Sequence, residues 1–173
     1  MSQPPNERSQ PHASTLRAGR WSETFGCYAI TKCPRIREPV LAQRGPAELI
    51  LSSLDHLRKT GLIRLLAFCI MPDHYHLLMF LTGNTPLSDL MRSVGKYTAR
   101  RLNEMLNRSG QFWEEGFYDH RCRSEEESED RMCYIEHNPA RAELVEKAED
   151  WPYSSAHPSQ ARLLDRDWYA EMK

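Results

Sequence analysis

Residues 62–71 and 74–81 are two apolar runs separated only by Pro72-Asp73, and few folds accept that pattern. Both runs have strand length and are rich in branched, leucine and aromatic residues. Proline and aspartate between them mark a tight connection. Two strands joined so closely abut in one sheet. The second run opens His74-Tyr75-His76 and then stays apolar. Side chains alternate along a strand, so His74 and His76 share one face and Tyr75 takes the other. Two imidazoles side by side on a rigid strand suit a divalent metal; they are equally compatible with ordinary hydrogen-bonded histidines.

The flanking sequence supplies the rest of the sheet. Residues 25–33 read as a first strand stopped by Pro34. Residues 46–60 carry Leu49, Ile50, Leu54 and Leu57 at helical spacing, and Gly61 closes them. A long helix starts at Thr85-Pro86, with Thr85 as N-cap, and runs to about Gly110; its apolar stripe is Leu87, Leu90, Met91, Val94, Leu102, Met105 and Leu106. Phe112-Trp113 and Phe117-Tyr118 read as short aromatic strands. Ser124 with Glu127 forms a capping box for another helix, which Asn138-Pro139 is expected to end. A short helix over 141–145 follows. The order strand, helix, strand, strand, helix, strand predicts an α+β, ferredoxin-like antiparallel sheet with helices packed on one face. Residues 1–20 are expected to be a flexible basic arm, 21–155 the folded domain, and 156–173 a C-terminal tail.

Composition narrows the functional classes. A chain of 173 residues with 40% apolar content can bury a core but is short for a barrel of eight strand–helix units. That disfavours the barrel metallohydrolases. Five cysteines without a Cys-x-x-Cys favour free thiols in a reducing compartment. No run reaches membrane-span length and the first residues carry no secretory signal, so a cytoplasmic location is expected. The net charge of −1 hides an asymmetry: residues 1–123 sum to +6 and residues 124–173 to −7. A basic body is compatible with a polyanionic partner.

Tyr97 lies on the long helix, at the rim of its apolar face, among Lys96, Arg100 and Arg101. A tyrosine, a histidine pair and clustered cations together suggest phosphoryl transfer, although a boundary tyrosine can simply pack. Tyr118, beside Asp119 and His120, is the main competitor as nucleophile. Tyr28 and Tyr134 sit within predicted elements and are set aside as lacking the cationic neighbours that would stabilise an attacking phenolate.

These motifs resemble the IS200-like tyrosine transposases, in the branch associated with repetitive extragenic palindromes (REP). His74-Tyr75-His76 after Met71-Pro72-Asp73 resembles their His-hydrophobe-His motif, and residues 96–100 are similar to their nucleophile helix. The resemblance continues through residues 110–113, 117–120, 134–141 and 151–155. It implies a single-strand DNA endonuclease and strand transferase acting at hairpin-bearing DNA. His74 and His76 would hold Mg²⁺ or Mn²⁺, and Tyr97 would form a 5′-phosphotyrosine. Lys96, Arg100, Arg101 and Arg121 would contact DNA. Relatives often carry Gln or Asn one helical turn after the tyrosine as a third metal ligand. After Tyr97 that position is Arg101, which has no acceptor. A non-cleaving module that binds structured DNA is therefore the alternative, and a metallohydrolase acting on another phosphoester is the third. The oligomeric state, monomer or homodimer, stays open.

Overall fold

The structure, a computed structural model, describes residues 25–171. The expected basic arm at 1–20 lies outside the described residues. Strands β1 (Gly26–Lys32), β2 (Ile63–Ile70), β3 (Tyr75–Leu81) and β4 (Tyr118–Cys122) form one sheet in the order β2-β3-β1-β4, with every pairing antiparallel. Helices α1 (Arg44–Lys59) and α2 (Leu87–Met105) connect them, which gives the ferredoxin-like α+β arrangement. Pro72-Asp73 makes the tight connection between β2 and β3, closed by the Met71 N–H donating to the His74 carbonyl at 2.9 Å.

The two faces of the sheet build two cores. Tyr28, Ile30, Tyr75, Leu77 and Met79 pack against Ile50, Leu54 and Leu57 of α1 and Leu90, Met91 and Leu102 of α2. On the other face, Cys27, Cys69 and Leu78 pack against Ile135 and Met132 of a third helix, α3 (Glu125–Arg141). The sheet is thus covered on both faces, so the expected single helical layer is only half of the arrangement. The continuous apolar run of β2 reflects this, because a strand buried on both sides has no reason to alternate. A bulge between Leu65 and Ala67 assigns Leu65 to one core and both Leu66 and Ala67 to the other.

Three other sequence expectations change. Phe112 and Trp113 are not a strand: they are buried in a loop, where the indole N–H of Trp113 donates to the Thr98 hydroxyl at 3.0 Å. The last strand comes later, at Tyr118–Cys122. Asn138-Pro139 does not end α3, which continues to Arg141. Pro139 removes one donor so near the end that little is lost, and the Ala142 and Leu144 N–H groups close the terminus on the Asn138 and Pro139 carbonyls, each at 2.9 Å. The Ser124 cap is as read, its hydroxyl accepting from the Glu127 N–H at 3.1 Å.

The segment after α3 fastens that helix to the sheet. Trp151 donates its indole N–H to the Ile70 carbonyl at 2.9 Å. Ser155 accepts from the Phe68 N–H at 3.1 Å and donates to Glu136 of α3 at 2.7 Å. Arg166, at the start of α4 (Arg166–Glu171), pairs with Glu136 as well and donates to the Leu66 carbonyl. The described part of the C-terminal tail therefore packs on the domain. Ser155→Ala would leave the Phe68 N–H unpaired in a buried place. It is expected to cost about 1–3 kcal/mol of stability, read as a shifted urea midpoint at unchanged slope.

Candidate active site

The register places His76 beside Thr31 of β1 and Cys69 of β2, on the face that α3 covers. Tyr75 points the other way, into the α1/α2 core, where it meets Trp113 edge-on at 5.5 Å between ring centroids. His74 sits in the turn just before β3. Its Nε2 lies 3.0 Å from Nε2 of His76. The remaining ring nitrogens have partners of their own. His74 Nδ1 meets the Asp73 carboxylate at 2.7 Å, and His76 Nδ1 meets the Thr31 hydroxyl at 2.8 Å. Burial, with His74 beside it, pushes His76 down to about 4, so its ring is neutral at physiological pH.

This pair fits a divalent cation. Two nitrogens bonded to one octahedral ion at about 2.1 Å and at right angles stand about 3.0 Å apart. The Asp73 carboxylate accepts from His74 Nδ1 and the Thr31 hydroxyl is placed to accept from His76 Nδ1, the tautomers in which both Nε2 lone pairs can ligate. Among the described residues no group of three His, Cys, Asp or Glu forms a metal cluster. A third protein ligand would have to come from another residue type. Replacing Asp73 by Asn or Thr31 by Val should weaken Mn²⁺ binding about 10–100-fold in a titration, with the fold retained.

Tyr97 is not brought to the histidines. It lies on α2, on the opposite face of the sheet, and is 54% exposed. Its cationic neighbours Arg100 and Arg101 both pair with Glu104 on the outer surface of that helix. Lys96 borders a groove between α2 and the loop at 110–117. Arg121 stands opposite Tyr28 on the edge strand. None of the four cations expected to contact DNA lines the cleft at His76.

The tyrosine that meets His76 is Tyr134 of α3, with 6.2 Å between ring centroids. His76, Thr31, Tyr118, His120, Arg131 and Tyr134 line one cleft of about 230 Å³. The Arg141 guanidinium lies over the Tyr134 ring, 4.9 Å from its centroid. Asn138, one turn after Tyr134, donates from Nδ2 to the Tyr134 carbonyl at 3.1 Å, which leaves Oδ1 as an acceptor for a cation. At about 100° per residue, Arg131, Tyr134, Asn138 and Arg141 fall within about 80° of each other. They form a polar stripe flanking the buried stripe of Ser128, Ile135 and Pro139. That stripe was readable in the sequence. Looking for cations at i−3 and i+7 rather than next to the tyrosine would have found it.

Comparison with known proteins gives this geometry a context. Residues 24–138 match the family described as Transposase IS200 like. The chain belongs to the IS200-like transposase family. It is 32% identical over 113 residues to a protein named as a candidate REP-associated tyrosine transposase from Haemophilus influenzae, covering 59% of this chain and 64% of that one. It is 27% identical over 108 residues to the REP-associated tyrosine transposase of Escherichia coli K12, covering 61% and 62%. The chain thus matches less than two thirds of the length of either relative. The fold is shared with a solved REP-associated tyrosine transposase bound to a REP hairpin, at a TM-score of 0.71 and 21% identity over 86% of this chain and 87% of that one. Among the described residues of this family member, no helix is long and apolar enough to cross a membrane.

Proposed function

We propose that this protein is a metal-dependent single-strand DNA endonuclease and strand transferase acting at hairpin-bearing DNA, with Tyr134 as its nucleophile. The observation that carries this reading is the meeting of Tyr134 and His76 in one cleft, with Asn138 one helical turn further on. His74, His76 and the Asn138 amide oxygen would hold Mg²⁺ or Mn²⁺. When bound, the ion would act as a Lewis acid on the scissile phosphate. Tyr134 supplies the oxygen that bonds to phosphorus, and a 5′-phosphotyrosine with a free 3′-hydroxyl results. The phosphotyrosine keeps the energy of the broken phosphodiester, so the strand can later be rejoined to another end. Arg131 and Arg141 place positive charge beside the phenol and the phosphate, the electrostatic help that a tyrosine needs near neutral pH.

The non-cleaving reading drew its support from Arg101, which stands where a ligand should follow Tyr97. With Tyr134 as nucleophile that position is Asn138, and the objection disappears. Lys96, Arg100, Arg101 and Arg121 lie away from the cleft and are proposed as phosphate contacts further along the DNA.

The test is incubation with hairpin oligonucleotides carrying randomised single-stranded flanks and Mn²⁺, followed by a denaturing gel and peptide mapping. A covalent band mapping to the peptide that contains Tyr134 is expected. Mapping to Tyr97 or Tyr118 would sink the assignment. Binding should be steeply salt-dependent, and Arg131→Ala and Arg141→Ala should each lower the slope of log K against log salt by about 1.

A further inference from the structure

His120 has no role in the chemistry above, yet it shares the cleft with Tyr134. Asp119 and His120 look like a pair in sequence, but they leave β4 on opposite faces. Asp119 stands opposite Ile30 and His120 opposite Ala29. In the same pairing Thr31 stands between His76 on β3 and Tyr118 on β4, so His120, two residues on from Tyr118, points to the face that bears His76. Its partner comes from across the cleft. Glu127, in the first turn of α3, holds His120 Nε2 with Oε1 at 2.5 Å. The other oxygen of that carboxylate accepts from the Arg123 N–H at 2.7 Å. The ring is therefore oriented by a carboxylate that is itself anchored. With Nε2 taken, Nδ1 is the nitrogen left for the cleft.

The proposed cleavage needs a proton donor for its leaving group, and the other cleft residues are poorly suited to give one. His76 has one ring nitrogen on Thr31 and presents the other, beside Nε2 of His74, to the cation. Tyr134 is the attacking group. Arg131 does not release its proton. Asp119 and Tyr118 also border the cleft. Neither carries an imidazole, the side chain that ordinarily exchanges its proton nearest neutral pH.

We propose that His120 is the general acid that protonates the leaving 3′-oxygen, an inference that rests on the reading of Tyr134 as nucleophile. In the forward step the Tyr134 oxygen bonds to phosphorus and the bond from phosphorus to the 3′-oxygen breaks. The phenol proton leaves to solvent, and the proton on His120 Nδ1 passes to the 3′-oxygen. In strand transfer the neutral ring takes the proton from an attacking 3′-hydroxyl, and the phenolate of Tyr134 is reprotonated from solvent. Glu127 is a positioning residue that orients the ring.

The experiment replaces the 3′-oxygen at the mapped cleavage site by sulfur. A thiolate leaves without a proton, so it does not need the acid. On the all-oxygen hairpin, His120→Ala and His120→Gln should slow adduct formation about 10²–10⁴-fold. On the 3′-thio hairpin both should react within a few-fold of the wild-type protein. His120→Gln keeps an N–H for Glu127, so a purely structural strut would be restored by Gln and would show no sulfur rescue. Equal losses on both substrates, or full activity of His120→Gln on the oxygen substrate, would overturn the assignment of His120 alone. An adduct that persists in Tyr134→Phe, or no wild-type adduct on either substrate, would overturn the underlying reading and the role of His120 with it.

Discussion

Tyr134→Phe should abolish the covalent protein–DNA adduct, a loss of more than about 10⁴-fold, while hairpin affinity stays within about twofold of wild type. The substitution removes one oxygen and nothing else. Phenylalanine keeps the ring that packs beside His76 and under Arg141, so the helix stripe and the cleft persist. The Tyr134 side chain is at the surface, 41% exposed, and the hydroxyl carries little of the fold. The companion variant decides between the two helices. Tyr97→Phe should leave adduct formation unchanged, because α2 and its tyrosine lie across the sheet from the histidines. For Tyr97 to reach His76, α2 would have to leave a core that buries Leu87, Leu90, Met91 and Leu102. At roughly 1.5–3 kcal/mol for each such side chain, that displacement costs far more than a local rotation. An adduct retained by Tyr134→Phe and lost by Tyr97→Phe would reverse the assignment.

The sequence made the sheet and the histidine pair legible because both rest on short-range rules. Strand alternation sets His76 opposite in direction to Tyr75, and the Pro72-Asp73 turn fixes the β2–β3 pairing by itself, although His74 lies in that turn and not on the strand as expected. The long periodicity of α2 likewise gave most of its buried face, although Met105 of the expected stripe is exposed and Pro86 rather than Thr85 is its N-cap. The proposed nucleophile was not legible by the same means. Tyr97 stands among cations in the chain, whereas Tyr134 acquires its cations through helical spacing, from Arg131 and Arg141. The second obstacle was Pro139. Read as a helix stop, it removes Asn138 from the helix and hides the one-turn relation between Tyr134 and Asn138. In the structure the helix passes through this proline and both residues share one stripe. The third was the sheet itself. Which helix covers which face is a tertiary fact, and the continuous apolar run of β2 says only that both faces are covered. His120 shows the same limit: its carboxylate partner is not the adjacent Asp119 but Glu127, seven residues on.

His76→Ala should remove metal-dependent cleavage almost as completely, by about 10²–10⁴-fold, the equivalent of several kcal/mol of charge stabilisation on the phosphate. His76 is the better probe of the two histidines because it joins both halves of the site. Its Nε2 meets His74, its Nδ1 meets Thr31, and its ring meets Tyr134. The fold should survive. His76 is only partly buried, and its strand is held by Tyr75, Leu77 and Met79 on one face and Leu78 on the other. Removing the ring also removes a histidine that burial holds unprotonated, with its ordinary value of 6.5 lowered to about 4. A base with a depressed native value binds fewer protons folded than unfolded between those two limits, so wild-type stability should fall as pH drops from about 6.5 towards about 4. His76→Ala should flatten that part of the stability curve. Three measurements on one variant therefore bear on one residue: Mn²⁺ titration, the adduct gel and urea unfolding across pH. Loss of the adduct with Mn²⁺ affinity unchanged would show that His76 acts by packing against Tyr134 and not as a ligand. Loss of both, with a stable fold and a flatter pH profile, is the result that the convergence of the two Nε2 atoms predicts.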